Sequence, residues 1–240
     1  MLKKGRKVHY FNKIYTQKNR YHKPKEIFSY LIKILRKEKI KKNSLLIDVG
    51  CASGELLYNL HKNLKNVNLT GIDVDKTLLK KAKENCPKNI PFLKKDISKK
   101  VKGLKKYDIV IFSGVLSIFK NGDSVLKNLL SLVKPNGKIF IFDSFNVYSY
   151  NLHIKANTVK NKKKITWYKN MYSTNYINDF FKKNKRRCKF YRFRLKKNIK
   201  PNKSNLNYGW TENLSGKKII TSGLGLIQNQ FWVKIEKNSK

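Results

Sequence analysis

The residues best suited to bind a ligand run from Asp48 to Gly54 and read Asp-Val-Gly-Cys-Ala-Ser-Gly. The apolar run at 45–49 is short enough to be a buried strand, and leucines at helical spacing begin at Leu56. Between them, small side chains allow backbone N–H groups to approach a ligand where a Cβ would collide. A strand, a glycine turn and a helix in this order predict the start of a nucleotide-binding βαβ unit.

Glu55 bears on the kind of nucleotide that this loop accepts. A dinucleotide loop reads G-x-G-x-x-G and directs the helix N-terminus at a pyrophosphate. Here the sixth position is Glu55, a carboxylate where a phosphate requires positive character. The pattern is instead Gly50-x-Ala52-x-Gly54, preceded by Asp48. A ligand without phosphate therefore fits better, and the alternative is an ordinary glycine turn of an α/β protein.

The string Asp48 to Gly54 closely resembles motif I of the class I S-adenosylmethionine (SAM) dependent methyltransferases, whose ligand carries a sulfonium cation and no phosphate. Ala52 departs from the glycine of many members, but alanine is also small. The resemblance covers about residues 44–143. It implies a Rossmann-like α/β fold with a seven-stranded, mostly parallel sheet, helices on both faces and a C-terminal antiparallel strand. It also implies SAM as the cofactor, bound by the loop residues Asp48, Gly50, Cys51, Ala52, Ser53 and Gly54.

Asp73 ends the predicted second strand, 19 positions after Gly54. An acid at about this distance from a glycine loop accepts hydrogen bonds from a ribose diol, because a carboxylate offers acceptor oxygens and no donor. Asp73 is therefore predicted to bind ribose, with Val74 beside it. Asp75 directly precedes a helical pattern and is better placed to cap that helix.

A valine at Gly54 is expected to block the ligand while leaving the fold largely intact.

Asp96 is the predicted adenine contact, and this prediction rests on the resemblance. It follows a short strand candidate at 90–93, where the family places an acid that accepts a hydrogen bond from the adenine amine. The backbone N–H of Ile97 lies beside it in sequence. Because this motif is short and loose, an aspartate in a surface turn is the alternative interpretation.

The segment 113–119 resembles the part of the family that lies beneath the transferred methyl group, so Ser113 and Val115 are expected to contact the cofactor. Many small-molecule members carry a histidine where this chain has Ile118, and the resemblance therefore assigns no proton acceptor. Transfer to a hydroxyl requires one. The candidates are His153, Asp143 and Tyr21.

Hydrophobic periodicity predicts alternating helices and strands up to residue 142, whereas 147–187 lack a continuous period. The predicted helices cover 25–40, 55–65, 76–85, 123–133 and 175–182. The predicted strands cover 45–49, 67–73, 90–93, 107–112, 138–142, 190–195 and 231–235, with a turn at 134–137 and a hairpin-like excursion within 208–224. In the last strand, the alternation predicts that Phe231, Val233 and Ile235 face inward.

Residues 1–43 are predicted to form a basic arm and a helix, and 44–240 a single methyltransferase domain with acceptor-binding insertions at about 147–187 and 196–225. Flat aromatic rings suit the C–H face of a sugar, so the expected acceptor is a sugar or another small hydroxyl compound contacted by Trp167, Tyr168, Tyr172, Tyr208 and Trp210. A looser resemblance to methyltransferases of bacterial surface-polysaccharide clusters rests on 113–119, Phe145-Asn146, 167–173 and Trp210-Thr211.

The chain carries 56 basic and 14 acidic residues, a net charge of +42. Such an excess favours contact with nucleic acid or an anionic surface. Most of the basic residues are lysines, however, and Lys, Asn, Ile, Tyr and Phe share codons rich in A and T, so a low-GC genome raises all of them together. The scarcity of Asp and Glu is not explained in this way. An RNA methyltransferase and a catalytically inactive SAM-fold partner protein therefore remain as alternatives.

Cys51, Cys86 and Cys188 are odd in number and far apart, so no disulfide framework is expected, and no Cys/His cluster indicates a metal. No apolar signal-peptide core follows the basic N-terminus. The longest apolar stretch, 107–119, is too short and interrupted to span a bilayer. The expectation is a cytoplasmic protein without a metal or a membrane span.

Overall fold

A computed structural model describes residues 21–38, 40–157, 166–201 and 209–238, and at 156–157 and 166–168 it describes the backbone only. The predicted N-terminal arm lies almost entirely outside this part. The helices are α1 (Glu26–Lys37), α2 (Glu55–Asn63), α3 (Lys76–Asn85), α4 (Gly122–Leu132) and α5 (Thr174–Lys183), with a 3₁₀ turn at Leu116–Ile118. The strands are β1 (Ser44–Val49), β2 (Val67–Asp73), β3 (Phe92–Lys94), β4 (Tyr107–Ser113), β5 (Val133–Ser144), β6 (Leu152–Asn157), β7 (Thr166–Met171), β8 (Arg186–Phe193), β9 (Trp210–Leu214), β10 (Lys217–Thr221) and β11 (Gln230–Lys237).

Seven strands form one sheet in the order β3-β2-β1-β4-β5-β11-β8. β1 pairs in parallel with β2 and with β4, and β2 pairs in parallel with β3. Helices α2 and α3 supply the crossovers that such parallel neighbours require. β8 and β11 are antiparallel. The predicted fold class, a Rossmann-like and mostly parallel sheet, is confirmed. None of the helices in the described ranges combines the length and apolar character needed to cross a bilayer.

The central strands are buried along nearly their whole length. Leu46 and Ile47 of β1 have no exposed surface, and the same holds for Val110 and Ile111 of β4. Parallel strands covered on both faces read as continuous apolar runs, which is why these strands stand out in the sequence. Burial along β11 does not alternate as the sequence predicted. Trp232 is 0% exposed, and the residues expected to face inward are buried as well. Both faces of that strand are therefore covered.

The chain divides into two compact units. The first unit is made of two stretches, the chain up to Ser113 and Asp123–Phe140. It contains α1 to α3, most of α4 and β1 to β4. The second comprises Gly114–Gly122 and Ile141–Lys240 and contains β6 to β11 and α5. The boundary falls inside β5. The domain limits drawn from the sequence, a single domain over 44–240 with two insertions, stay a prediction.

The predicted turn at 134–137 is wrong, because these residues lie inside β5. A Cβ at Gly137 would lie 2.8 Å from the carbonyl oxygen of Asp108, so this glycine permits close approach of neighbouring backbone rather than a turn. Lys134 Nζ also donates to both carboxylate oxygens of Asp108, each at 2.9 Å. These contacts with Asp108 favour the extended conformation over the turn that Pro-Asn-Gly prefers locally.

The second unit contains more regular structure than the sequence indicated. β6 and β7 form an antiparallel hairpin within the stretch that showed no continuous period. Cross-strand backbone hydrogen bonds hold such a hairpin and need no strong apolar alternation. The predicted helix at 175–182 is confirmed as α5, and the hairpin-like excursion is confirmed as β9 paired with β10.

Candidate active site

The loop from Asp48 to Gly54 is held by backbone hydrogen bonds, both within the loop and to the end of β2. The N–H groups of Gly50 and Cys51 both donate to the carbonyl oxygen of Ile72, at 2.8 and 3.0 Å. Gly54 N–H donates to Cys51 O at 2.8 Å and closes the turn before α2. Gly50, Ala52 and Gly54 all have positive φ, at 74°, 48° and 79°. Glycine adopts this conformation without strain because it has no Cβ, whereas Ala52 adopts it at a cost.

Gly54 also has a packing role that the sequence did not reveal. A Cβ there would lie 2.8 Å from Cys86 Sγ and 3.1 Å from Ala82 Cβ and from the Phe92 ring. The expectation that Gly54→Val would leave the fold largely intact is therefore wrong. A valine would combine a strained backbone with a collision against α3 and β3.

Asp73 is oriented by two backbone donors. Its Oδ2 accepts from the N–H of Ala52 at 2.9 Å, and its Oδ1 accepts from the N–H of Asp75 at 2.9 Å. Burial raises the pKa of Asp73, and the hydrogen bonds from Asp75 and Ala52 oppose that rise. The carboxylate therefore ties the end of β2 to the glycine loop. Asp75 caps α3 as predicted, since its Oδ1 accepts from Thr77 N–H and Leu78 N–H.

Asp48 is buried beside these groups, at the end of β1. Burial raises its pKa to about 7; the Asp73 charge adds to the rise and Lys25 opposes it. An isolated buried carboxyl group stays neutral more readily than charged. A cation placed near this pair of acids would therefore favour ionised Asp48, so the site suits a positively charged ligand.

Tyr21, which precedes α1, forms a hydrogen bond to the loop. Its hydroxyl donates to the carbonyl oxygen of Ser53 at 2.7 Å, and its ring packs edge-on against Tyr58 with centroids 5.4 Å apart. Burial raises the pKa of Tyr21, and nearby Cys86 adds to the rise, so its phenol stays protonated. The sequence offered Tyr21 as a proton acceptor, but this geometry gives it the role of a donor that holds Ser53.

The remaining predicted cofactor residues of the first unit lie at or shortly after strand ends. Val74 is exposed beside Asp73, and Ser113 ends β4. Asp96 Oδ1 accepts from the backbone N–H and the hydroxyl of Ser98, at 2.9 and 2.6 Å. That is the turn geometry of the alternative interpretation, so the adenine contact of Asp96 stays a prediction. Ile97 is buried, and its carbonyl oxygen accepts from Asn128 Nδ2 at 2.7 Å.

In the second unit, the segment Gly114–Gly122, which includes Val115, is held by side chains that lie far from it in the sequence. The N–H of Ser117 donates to Asp143 Oδ2 at 2.9 Å. Asn170 Nδ2 donates to Ser117 O at 3.0 Å and to Phe119 O at 2.7 Å. The hydroxyl of Tyr172 donates to the same Phe119 oxygen at 2.6 Å. The sequence analysis missed Asn170, and no local pattern marks it because its partners lie 53 and 51 residues away.

Buried Asp143 and half-buried Lys169 carry opposite charges and affect each other electrostatically. Burial raises the pKa of Asp143, and hydrogen bonds from Ser117 and Ser144 and the charge of Lys169 oppose the rise. Burial lowers the pKa of Lys169, and Asp143 opposes that fall. Sequence reasoning named Asp143 as a candidate base but missed Lys169, one lysine among many. Asp143 is buried with its oxygens occupied by N–H donors, and this suits it to hold Ser117 rather than to receive a proton.

The aromatic rings expected to form a sugar platform are only partly where the sequence placed them. Tyr172 is 3% exposed and Trp210 is 8% exposed, so neither presents an open face, and that expectation is wrong for both. Tyr172 stacks on Tyr176 instead. The Trp167 and Tyr168 side chains and all of Tyr208 lie outside the described residues. Tyr148 and Tyr150, which the sequence analysis missed, are 72% and 73% exposed.

Hydrogen bonds from asparagine side chains hold the loop that carries these two tyrosines. Asn146 Nδ2 donates to Tyr150 O at 2.9 Å, and Tyr148 N–H donates to Asn146 Oδ1 at 3.1 Å. Asn175 Nδ2 donates to Ser149 Oγ at 2.8 Å. Within the described part of the chain, no three His, Cys, Asp or Glu side chains are grouped so as to hold a metal ion.

A family model described as a methyltransferase domain matches residues 40–204, which include the glycine loop, Asp73 and the Gly114–Gly122 segment. The chain belongs to the class I SAM-dependent methyltransferases. SAM is the cofactor of that family, and the loop and strand-end acid described above correspond to the resemblance seen in the sequence.

Relatives of this methyltransferase include enzymes named for transfer to oxygen. Ubiquinone biosynthesis O-methyltransferase of Coxiella burnetii is 28% identical over 127 residues, which are 50% of this chain and 53% of that protein. Malonyl-(acyl-carrier protein) O-methyltransferase of Halalkalibacterium halodurans is 28% identical over 114 residues, or 45% of this chain and 42% of that protein. This methyltransferase chain thus spans about half the length of the curated relatives it matches.

A solved structure similar to this methyltransferase is magnesium protoporphyrin IX methyltransferase from Synechocystis PCC 6803 with bound SAM. The two share 13% sequence identity with a TM-score of 0.53, and the match covers 89% of this chain and 79% of that one. The likeness supports the fold.

Proposed function

We propose that this protein binds SAM on the Asp48–Gly54 loop and Asp73 and transfers its methyl group to the hydroxyl of a small molecule. The observation that carries the proposal is the orientation of Asp73 by Ala52 N–H and Asp75 N–H. A carboxylate fixed in this way can accept from the two hydroxyls of a ribose.

The residues present fit this cofactor. Gly50 is half-buried and has no Cβ, which leaves room for close approach, and the acids Asp48 and Asp73 suit a ligand that carries positive charge. When bound, SAM supplies an electrophilic methyl group on a sulfonium cation. The protein has to bind it, orient it and hold the acceptor in line, because proximity and alignment supply much of the acceleration.

For the acceptor we favour a hydroxyl group, on a sugar or a comparable small molecule. The names of the relatives support transfer to oxygen, and the exposed rings of Tyr148 and Tyr150 suit stacking against an apolar face. A role in surface-polysaccharide biosynthesis in the cytoplasm is the finer form of this proposal. Mass spectrometry of surface glycan from a strain that lacks the protein should then show the loss of one methyl group, whereas an unchanged glycan would reject the sugar.

Calorimetry of SAM binding to Asp73→Asn tests the cofactor site. The substitution removes a charged acceptor, and losing one such hydrogen bond costs about 1.5–3 kcal/mol, or at least about tenfold in Kd. Asp179→Asn is the matched control, because it makes the same charge change at an exposed position of α5. Equal Kd values for Asp73→Asn and the wild type would reject the assignment.

A second candidate function, methylation of RNA, is favoured by the clustering of arginine. Four of the seven arginines lie within residues 186–194, on or directly after the edge strand β8. Arg187 and Arg192 are exposed, and Lys189 Nζ lies 5.4 Å from the ring centre of half-buried Tyr191. Basic and aromatic side chains in this arrangement suit single-stranded nucleic acid.

Filter binding of labelled RNA at two salt concentrations separates the two acceptors. A dispersed positive charge predicts weak binding that falls steeply with salt and does not depend on the RNA sequence. Labelled SAM should then mark a small-molecule or glycan fraction. Tight binding of one RNA at physiological salt, with label in the RNA fraction, would favour the second candidate. SAM binding with no labelled fraction would favour the inactive partner protein.

A further inference from the structure

We propose that His153 is the general base that accepts the acceptor's hydroxyl proton and that Asn170 is a positioning residue that sets its tautomer. This inference rests on the proposed function, since it needs a hydroxyl acceptor. His153 Nδ1 lies 2.8 Å from Asn170 Oδ1 across the β6–β7 hairpin, where the two residues are directly opposite.

The orientation of the Asn170 amide is fixed by its other contacts. Asn170 is buried, and its Nδ2 lies 3.0 Å from Ser117 O and 2.7 Å from Phe119 O. A backbone carbonyl only accepts, so the atom that contacts both must be the NH₂ group, and both of its hydrogens are used. The atom facing His153 must therefore be the amide oxygen.

The tautomer of His153 follows from this orientation. An amide oxygen only accepts, so Nδ1 of His153 must carry the hydrogen of the 2.8 Å bond. In the neutral ring only one nitrogen is protonated, so Nε2 has its lone pair free of a proton. The histidine is exposed, which leaves it open to a ligand. The network therefore prepares Nε2 as a proton acceptor.

The place of this histidine suits the role. Ser117 and Phe119 belong to Gly114–Gly122, the segment that begins where β4 ends. Asn170 fastens His153 to this segment, through the two carbonyls that flank Ile118. The other candidate bases are less suitable, because Tyr21 donates its hydroxyl hydrogen to Ser53 and Asp143 is buried with N–H donors on both oxygens.

The acceptor hydroxyl gives its proton to Nε2, and its oxygen uses an electron pair to form the new bond to the methyl carbon. The broken carbon–sulfur bond leaves its electron pair on sulfur. The resulting imidazolium keeps its bond to Asn170 through Nδ1–H and returns the Nε2 proton to water, so no oxidant or reductant is needed.

Nitrogen NMR of the full-length protein tests the tautomer without any acceptor. The chain has four histidines, and the His153 signals are identified as those lost in His153→Asn. We expect a proton on Nδ1 in the wild type. Asn170→Ala should release this preference toward Nε2–H or a mixture, and a role of Asn170 in hairpin stability alone would not produce that shift. A ring protonated on Nε2 in the wild type would overturn the proposal.

Methyl transfer from labelled SAM to a cell extract freed of protein and RNA tests the base. His153→Asn keeps an N–H donor near the position of Nδ1 but has no Nε2, so the hairpin contact is retained while the base is lost. We expect a rate lower by about 100-fold or more, with an unchanged Kd for SAM. His153→Gln, whose amide reaches the position of Nε2, is the second variant and should be equally slow.

The outcomes separate this inference from the proposed function. Wild-type rates in His153→Asn, with normal SAM binding, would overturn the base and leave the methyltransferase proposal intact. A wild-type protein that fails to bind SAM would overturn the proposed function and with it the base.

Discussion

The glycine loop of the first unit and the Gly114–Gly122 segment of the second are held in opposite ways. Most hydrogen bonds of the loop join it to itself or to the end of the next strand, as from Gly54 to Cys51 and from Cys51 to Ile72. The Gly114–Gly122 segment is held by Asp143, Asn170 and Tyr172, side chains that lie 26 to 53 residues away. The loop finds its partners in its own turn and at the end of the next strand, a regular spacing that is readable as a motif, whereas the side chains that hold Gly114–Gly122 follow no such spacing.

Two glycines with the same backbone conformation give the largest contrast. Gly54 and Gly114 have φ of 79° and 70°, but a Cβ at Gly114 would meet no described atom within 4 Å. Gly114→Ala should cost only the left-handed backbone, about 1–2 kcal/mol. Gly54→Ala adds the collision with Cys86 and should cost about 2–4 kcal/mol. Urea unfolding measures both, and equal losses would show that packing around Gly54 relaxes freely.

The buried acids Asp48 and Asp143 give the next contrast. The Asp48 pKa is about 7, above its ordinary 3.8, so the folded protein keeps a proton that the unfolded chain loses in that window, and stability falls as pH rises through it. Asp48→Asn removes this penalty. We expect the free energy of unfolding to rise by about 2–3 kcal/mol at pH 8 and to stay unchanged near pH 4, while SAM affinity falls.

Asp143→Asn should also raise stability at pH 8, but by less than Asp48→Asn. Burial raises the pKa of Asp143, so its ionised form destabilises the fold as pH rises, whereas the N–H donors of Ser117 and Ser144 and the charge of Lys169 oppose that effect. Unfolding of both variants at pH 4 and pH 8 makes the comparison, and a larger gain for Asp143→Asn would contradict the support that these groups give to its charge.

Much of the first unit could be predicted, for physical reasons that the second unit lacks. β1 and β4 are predominantly apolar, and the cap at Asp75 and the acid at Asp73 lie at fixed distances from the loop. The packing role of Gly54 could not be predicted, because Cys86 and Phe92 reach it only through the fold. In the second unit, the burial of Tyr172 and Trp210 and the pairing of His153 with Asn170 depend on contacts between distant residues.

Two tyrosine hydroxyls give the smallest and most specific contrast. Tyr21 donates to Ser53 O in the loop, and Tyr172 donates to Phe119 O in the second unit. Replacing either with Phe removes one hydrogen bond, worth about 1 kcal/mol or about fivefold in a binding constant. Tyr21→Phe should raise the Kd for SAM and leave the KM of the acceptor unchanged. Tyr172→Phe should do the reverse, and calorimetry with steady-state kinetics distinguishes them.

Because Cys86 packs against Gly54, the labelling rate of its thiol reports how often this contact opens. Its thiol is buried, its Sγ lies 3.4 Å from Gly54 O, and burial raises its pKa to about 12, so a thiol reagent can react only when this contact opens. The labelling rate of Cys86, followed peptide by peptide, therefore counts the transient openings of the loop in the folded protein. A ligand seated on the loop should slow that rate, and the ratio of the two rates would give its binding free energy without any catalytic turnover.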